Sequence, residues 1–144
     1  MTQAAEGRAR PGARVRSILP PAAVAAAAAA GIALVAVVDP NEPGHYPVCP
    51  LLTLTGLYCP GCGALRALHA LTRADLGAAL GLNPLFVLLI PVVAALWARW
   101  AVRSWQGRPF ATKSPHPAII WAFLVLLISY GVVRNLPFGD FLAP

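Results

Sequence analysis

Three long runs of apolar residues, free of acidic and basic side chains, limit what this chain can fold into more than any other feature. They extend from Ala22 to Val38, from Pro84 to Ala98 and over about 114–133. A helix rises about 1.5 Å per residue and the hydrocarbon layer of a bilayer is about 30 Å thick, so roughly 20 such residues cross it. Ile18 and Leu19 bring the first run to that length, and Trp100 to Val102 extend the second. Only 11% of the 144 residues are charged and 58% are hydrophobic, which leaves too little polar surface to clothe a soluble bundle of this size. The expected fold is an all-α membrane protein with three transmembrane helices, at about 18–38, 84–102 and 114–133. One or two short amphipathic helices and a Pro/Cys-rich extracytoplasmic segment over 39–83 complete it.

The basic residues give the direction of insertion. Arg8, Arg10, Arg14 and Arg16 precede the first run, and Arg99, Arg103, Arg108 and Lys113 lie between the second and third. A net charge of +6 would suit nucleic acid, but clusters at the ends of apolar segments set membrane orientation and attract anionic lipid instead. Nucleic-acid binding is therefore not expected. With the amino terminus inside, eight of the eleven Lys and Arg residues are cytoplasmic, while Asp39, Glu42, Asp75 and Asp140 are outside. This reading makes 1–17 a flexible cytoplasmic tail, 18–137 one integral membrane domain, 103–113 a cytoplasmic loop and 138–144 an extracytoplasmic tail. A cleaved signal peptide is the competing reading of the first run, but no small-x-small site precedes Asp39. Either reading places the next segment outside.

Within that segment Pro40, Pro43, Gly44, Pro47 and Pro50 predict irregular chain over 39–58, with an apolar patch from Leu51 to Leu57 too short to span. Pro60 and Gly61 turn the chain into a helical pattern from Cys62 to about Leu71. At 100° per residue Cys62, Arg66 and His69 fall within about 60° of one another on it. Asp75 reads as the N-cap of a short helix through Leu80, and Asn83 with Pro84 as the start of the next. Pro91 predicts a kink, Trp97, Trp100 and Trp105 an aromatic belt, and Arg134 the end of the third span. His116, flanked by prolines, reads as interfacial.

Chemistry concentrates in Cys49 and in Cys59-Pro60-Gly61-Cys62. On an oxidising face, Cys49 pairing with Cys59 or Cys62 would pin the irregular segment to the helix. Three sulfurs and one imidazole would equally make a tetrahedral zinc site of Cys49, Cys59, Cys62 and His45. His69 is the harder fourth ligand, because it lies about 10 Å along the helix from Cys62. Cys59 and Cys62 also form a CxxC, so a membrane thiol-disulfide oxidoreductase is the enzymatic alternative, although no strand-helix scaffold surrounds them. Arg66, His69 and Arg73 form a basic stripe suited to an anion such as a lipid phosphate, or to Asp75. The remaining class is a structural or assembly factor of the envelope. No catalytic residue is assigned outside the thiol alternative. The expected partners are the lipid bilayer and, through close contacts at Gly31 and Gly131, a second copy or another membrane protein.

Cys49-Pro50, the block Leu54-Thr55-Gly56-Leu57-Tyr58-Cys59-Pro60-Gly61-Cys62-Gly63, Arg66-Ala67-Leu68-His69, Asp75-Leu76, Asn83-Pro84 and Arg134-Asn135-Leu136-Pro137 together resemble DUF2752. That is a family of uncharacterised bacterial membrane proteins, and the resemblance runs over about 48–137. It implies a small multi-pass protein of the bacterial cytoplasmic membrane and carries no activity with it. Where the family often has Thr or Ser before the Arg, Leu65 stands here, which argues against a hydroxyl role at that place.

Overall fold

The computed structural model describes residues 11–107 and 116–142, and all its regular structure is helical. Helix α1 (Pro11–Val37) runs without interruption through Pro20 and Pro21, rather than being opened by them. It starts at Pro11 instead of residue 18, so 11–17 are helical where a flexible segment was expected. Of the expected tail, residues 1–10, and of the loop expected over 103–113, residues 108–113, lie outside the described residues, and 103–105 are helical. Two successive prolines withdraw two amide donors, a cost the helix bears because the remaining backbone groups can pair only within the helix once they leave water.

Helix α1 packs against α5 (Pro84–Trp105), which is continuous through Pro91. Two polar contacts mark an antiparallel pairing: Ser17 Oγ donates to the Ser104 carbonyl at 2.9 Å, and the Trp97 indole donates to the Pro21 carbonyl at 3.2 Å. Two stretches, Arg16–Val37 and Pro84–Trp105, are each 22 residues long and apolar enough to cross a bilayer. Helix α6 (Pro117–Val133) is shorter, at 17 residues, and spans about 25 Å at the helical rise. His116 caps it, accepting from the Ala118 amide at 3.3 Å. Leu88, Leu96, Trp121 and Ile128 are each more than 60% exposed, so the long helices present apolar surface outward as a bilayer requires. The protein is thus a helical membrane protein.

Between α1 and α5 the chain forms three short helices. Helix α2 (Pro50–Thr55) stands where irregular chain was expected. Pro50 suits a first helical turn, Gly56 closes the helix with φ +73°, and the Thr53 and Thr55 hydroxyls donate back to carbonyls of the preceding turn. Helix α3 (Ala64–Thr72) begins two residues later than the pattern suggests, because Gly63 sits at φ +81°, a left-handed conformation that glycine adopts freely. Cys62 therefore lies in the turn before α3 and not on the helical face that carries Arg66 and His69. Helix α4 (Leu76–Leu82) opens at Asp75, whose carboxylate accepts from the Ala78 amide at 2.8 Å, as expected. Ala67, Ala70 and Ala79 let α3 and α4 approach closely, and Leu71, Leu82, Phe86 and Val87 close the small core around them. A terminal 3-10 helix, Pro137–Leu142, folds back against α4.

Candidate metal centre

The Cys49, Cys59 and Cys62 sulfurs converge from a loop, a turn and the foot of α3, all within 4.8 Å of one another. Cys49 Sγ lies 3.4 Å from Cys59 Sγ, which lies 3.2 Å from Cys62 Sγ, and all three cysteines are free thiols. Zinc–sulfur bonds of about 2.3 Å in a tetrahedron put the sulfurs about 3.8 Å apart. Seating a zinc-sized ion would thus spread the Cys49–Cys59 and Cys59–Cys62 pairs by about half an ångström each.

The three thiols sit in different environments. The Leu52 amide, then the neighbouring Cys59 thiol, draw the Cys49 thiol down to about 7. Burial, then hydrogen bonding with Cys59, pushes the Cys62 thiol up to about 12. One sulfur ionises readily, and the innermost keeps its proton until something as strongly charged as a metal displaces it.

What holds the turn at 58–62 is a set of three polar side chains distant in sequence, Arg134, Asn83 and Asn135, the first two of them buried. Arg134, which was expected only to end α6, is 1% exposed. Its guanidinium donates to the carbonyls of Cys59 (3.1 Å), Cys62 (2.9 Å), Leu82 (3.3 Å) and Leu142 (2.8 Å), and packs 5.3 Å from the centre of the Tyr130 ring. Asn83, fully buried, donates through Nδ2 to the Pro60 and Cys62 carbonyls, each at 3.0 Å. Its Oδ1 meanwhile caps α5 at the Phe86 amide (2.9 Å) and accepts from the Tyr130 hydroxyl (3.2 Å). Asn135 pairs with Tyr58 as a strand neighbour would, accepting from its amide at 2.8 Å and donating to its carbonyl at 2.9 Å. Sequence reading missed Arg134, Asn135 and Tyr130 in these roles. The available signal was a charged residue abutting an apolar run, which functional and structural arginines share.

The other expected site residues lie elsewhere. His45 pairs with Glu42 at 3.9 Å and is outside the thiol group, so the expected fourth zinc ligand does not join the three sulfurs. His69 is turned away from the thiols: Nδ1 meets the Val35 carbonyl at 2.7 Å, and Nε2 receives the Arg73 Nε–H at 2.9 Å. These partners call for the tautomer with its proton on Nδ1. The acid that faces His69 is Asp39, at 3.6 Å, and not Asp75, which is occupied as the cap of α4. Two Asn41 hydrogen bonds, and then the nearby charge of Arg73, hold the Asp39 carboxyl below the usual carboxylate range. His69 and Arg73 thus clamp α3 to the end of α1, satisfying one of the last carbonyls of that helix. Arg66 stands apart from them. It is exposed and lines a cavity of about 550 Å³ whose wall also includes Cys49, Cys62, Tyr46, Tyr58 and Glu42.

No curated protein and no solved structure matches the chain. Residues 49–97, which carry all three cysteines and Asn83 but stop short of the Arg134–Pro137 motif, match the bacterial family described as "Protein of unknown function (DUF2752)".

Proposed function

We propose that this protein is a three-span membrane protein whose outer end binds a divalent metal, zinc above all, through Cys49, Cys59 and Cys62. The carrying observation is the convergence of three free thiols at a turn held by buried Arg134 and Asn83 and by half-buried Asn135. A disulfide engages two sulfurs, whereas three gather here, with Cys59 Sγ 3.4 Å from Cys49 Sγ and 3.2 Å from Cys62 Sγ. Soft thiolates select zinc and similar ions over magnesium or calcium. Three thiolates and a divalent ion leave one negative charge, and the Arg134 guanidinium bonded to the carbonyls of two of the ligands supplies one positive charge.

The third span is α6, with its apolar exposed flanks, and the arginine asymmetry favours the amino terminus inside and the metal centre outside. Shortness is accommodated by local thinning of the bilayer or by the flanking segments. The reading is of a binding or accessory protein, because the convergent groups are three metal-ligand sulfurs.

Native mass spectrometry of protein released from mild detergent tests it. One zinc per chain is expected, with loss of the metal in each of C49S, C59S and C62S. A metal-free protein lighter by two hydrogens overturns this reading: a stable disulfide then favours a structural role, and a readily reduced Cys59–Cys62 disulfide with a redox potential near those of known oxidants favours the thiol oxidoreductase.

A further inference from the structure

The metal-capable group among the described residues contains three ligands and no fourth. Zinc sites that serve only structure are closed by four protein ligands, whereas a site with three keeps a position for water or an incoming ligand. Two of the three ligands, Cys49 and Cys62, line a cavity of about 550 Å³. One cation stands in the same wall. Arg66 makes no hydrogen bond or ion pair with any described residue, while the one carboxylate of that wall, Glu42, is matched with His45 at 3.9 Å.

Resting on the metal-binding reading, we infer that the centre is an open one, whose fourth ligand is a small external anion with a soft donor atom, a thiolate or hydrosulfide, held by Arg66. Charge supports the anion. Three thiolates, a divalent ion and a monoanionic ligand together carry two negative charges, matched by Arg134 on the carbonyl side and Arg66 on the cavity side. Softness follows from the metal, since an ion already held by three thiolates takes a fourth sulfur more readily than a hard oxyanion. The volume exceeds what a single water needs and admits a molecule of several heavy atoms. Apart from an S–H bond lost when a thiol binds, no bond in the ligand is made or broken. It displaces water, and its proton, if it arrives as a thiol, passes to solvent.

The full-length protein in detergent, loaded with cobalt(II), reports the coordination directly through its visible absorption. Titration with ethanethiol is expected to change that spectrum saturably, and inorganic phosphate at the same concentration to leave it unchanged. In R66Q loaded to the same cobalt stoichiometry, ethanethiol is expected to bind roughly fivefold more weakly, the effect of one exposed charge, and R66K to restore most of the affinity.

Failure of the protein to bind cobalt at all, with its thiols reduced, overturns the metal reading itself. Cobalt bound with a tetrahedral spectrum that ethanethiol does not alter leaves that reading standing and overturns the open site. A response to phosphate but not to ethanethiol, or one seen only in nanodiscs containing anionic lipid, overturns the soft-donor assignment. Equal ethanethiol affinity in R66Q and the parent removes Arg66 from the site.

Discussion

Replacing Arg134 with methionine keeps most of the side chain's length and apolar bulk while removing its charge and every donor, so it isolates the polar role of this residue. Four carbonyls lose a charge-assisted bond. Two of them keep another donor: the Cys62 carbonyl is also bonded by Asn83 Nδ2 at 3.0 Å, and the Cys59 carbonyl by the Cys62 amide at 3.1 Å. The carbonyls of Leu82 and Leu142 lose the donor that Arg134 supplies. An acceptor left unsatisfied away from water costs about 1–3 kcal/mol. Relief from burying a guanidinium offsets part of this, since replacing buried charge with apolar bulk can itself be favourable. The net expectation is a loss of about 3 kcal/mol. For a chain of this size that lowers the unfolding midpoint by about 10 °C. Tryptophan fluorescence during thermal unfolding in mild detergent reads it, and R134K, which keeps the charge but not the fork, is expected to lose about half as much. A midpoint for R134M within about 1 °C of the parent would refute the claim that Arg134 holds the cysteine turn to the helix ends.

Asn83→Ala removes a helix cap and two carbonyl contacts of the cysteine turn together, so a loss of about 2–4 kcal/mol is expected by the same melting assay. A loss under about 0.5 kcal/mol would show that Asn83 is dispensable. His69→Ala leaves the Val35 carbonyl without its donor, and a loss of about 1–3 kcal/mol is expected. Because His69 sits on the clamp and not on the metal, H69A should bind zinc stoichiometrically when folded, and metal loss in folded H69A would contradict its placement. In the reduced, metal-free protein the thiolate is the reactive form, so Cys49 should be alkylated first, with its rate rising to half-maximum near pH 7. Cys62, whose thiol is pushed up to about 12, should lag throughout the neutral range, and peptide mapping that found Cys62 labelled ahead of Cys49 would reverse the assignment.

The parts of this fold that depend on local pattern were readable from residues alone. Uncharged length announced the long helices, and Asp75 and Asn83 announced the helix starts they cap. Spacing likewise singled out Cys49, Cys59 and Cys62. Local signals also misled where two of them competed. Proline density hid α2 although Pro50 and Gly56 frame a helix, and Gly63 moved the start of α3 past Cys62. The roles of Arg134, Asn135 and His69 were out of reach for a different reason. Arg134 meets Cys62 across 72 residues, Asn135 meets Tyr58 across 77, and His69 meets Val35 across 34, so nothing in the neighbouring sequence encodes the partner. The resemblance to DUF2752 pointed toward the Arg134 motif, but without chemistry attached it could not say that this arginine turns inward onto the cysteine turn.

X-ray absorption at the zinc edge, on protein purified without added thiols, tests the centre most directly. The expected first shell is three sulfurs at about 2.3 Å and one oxygen or nitrogen. A shell of oxygen and nitrogen alone, or a preparation that carries no zinc while its three thiols remain reduced, would contradict it.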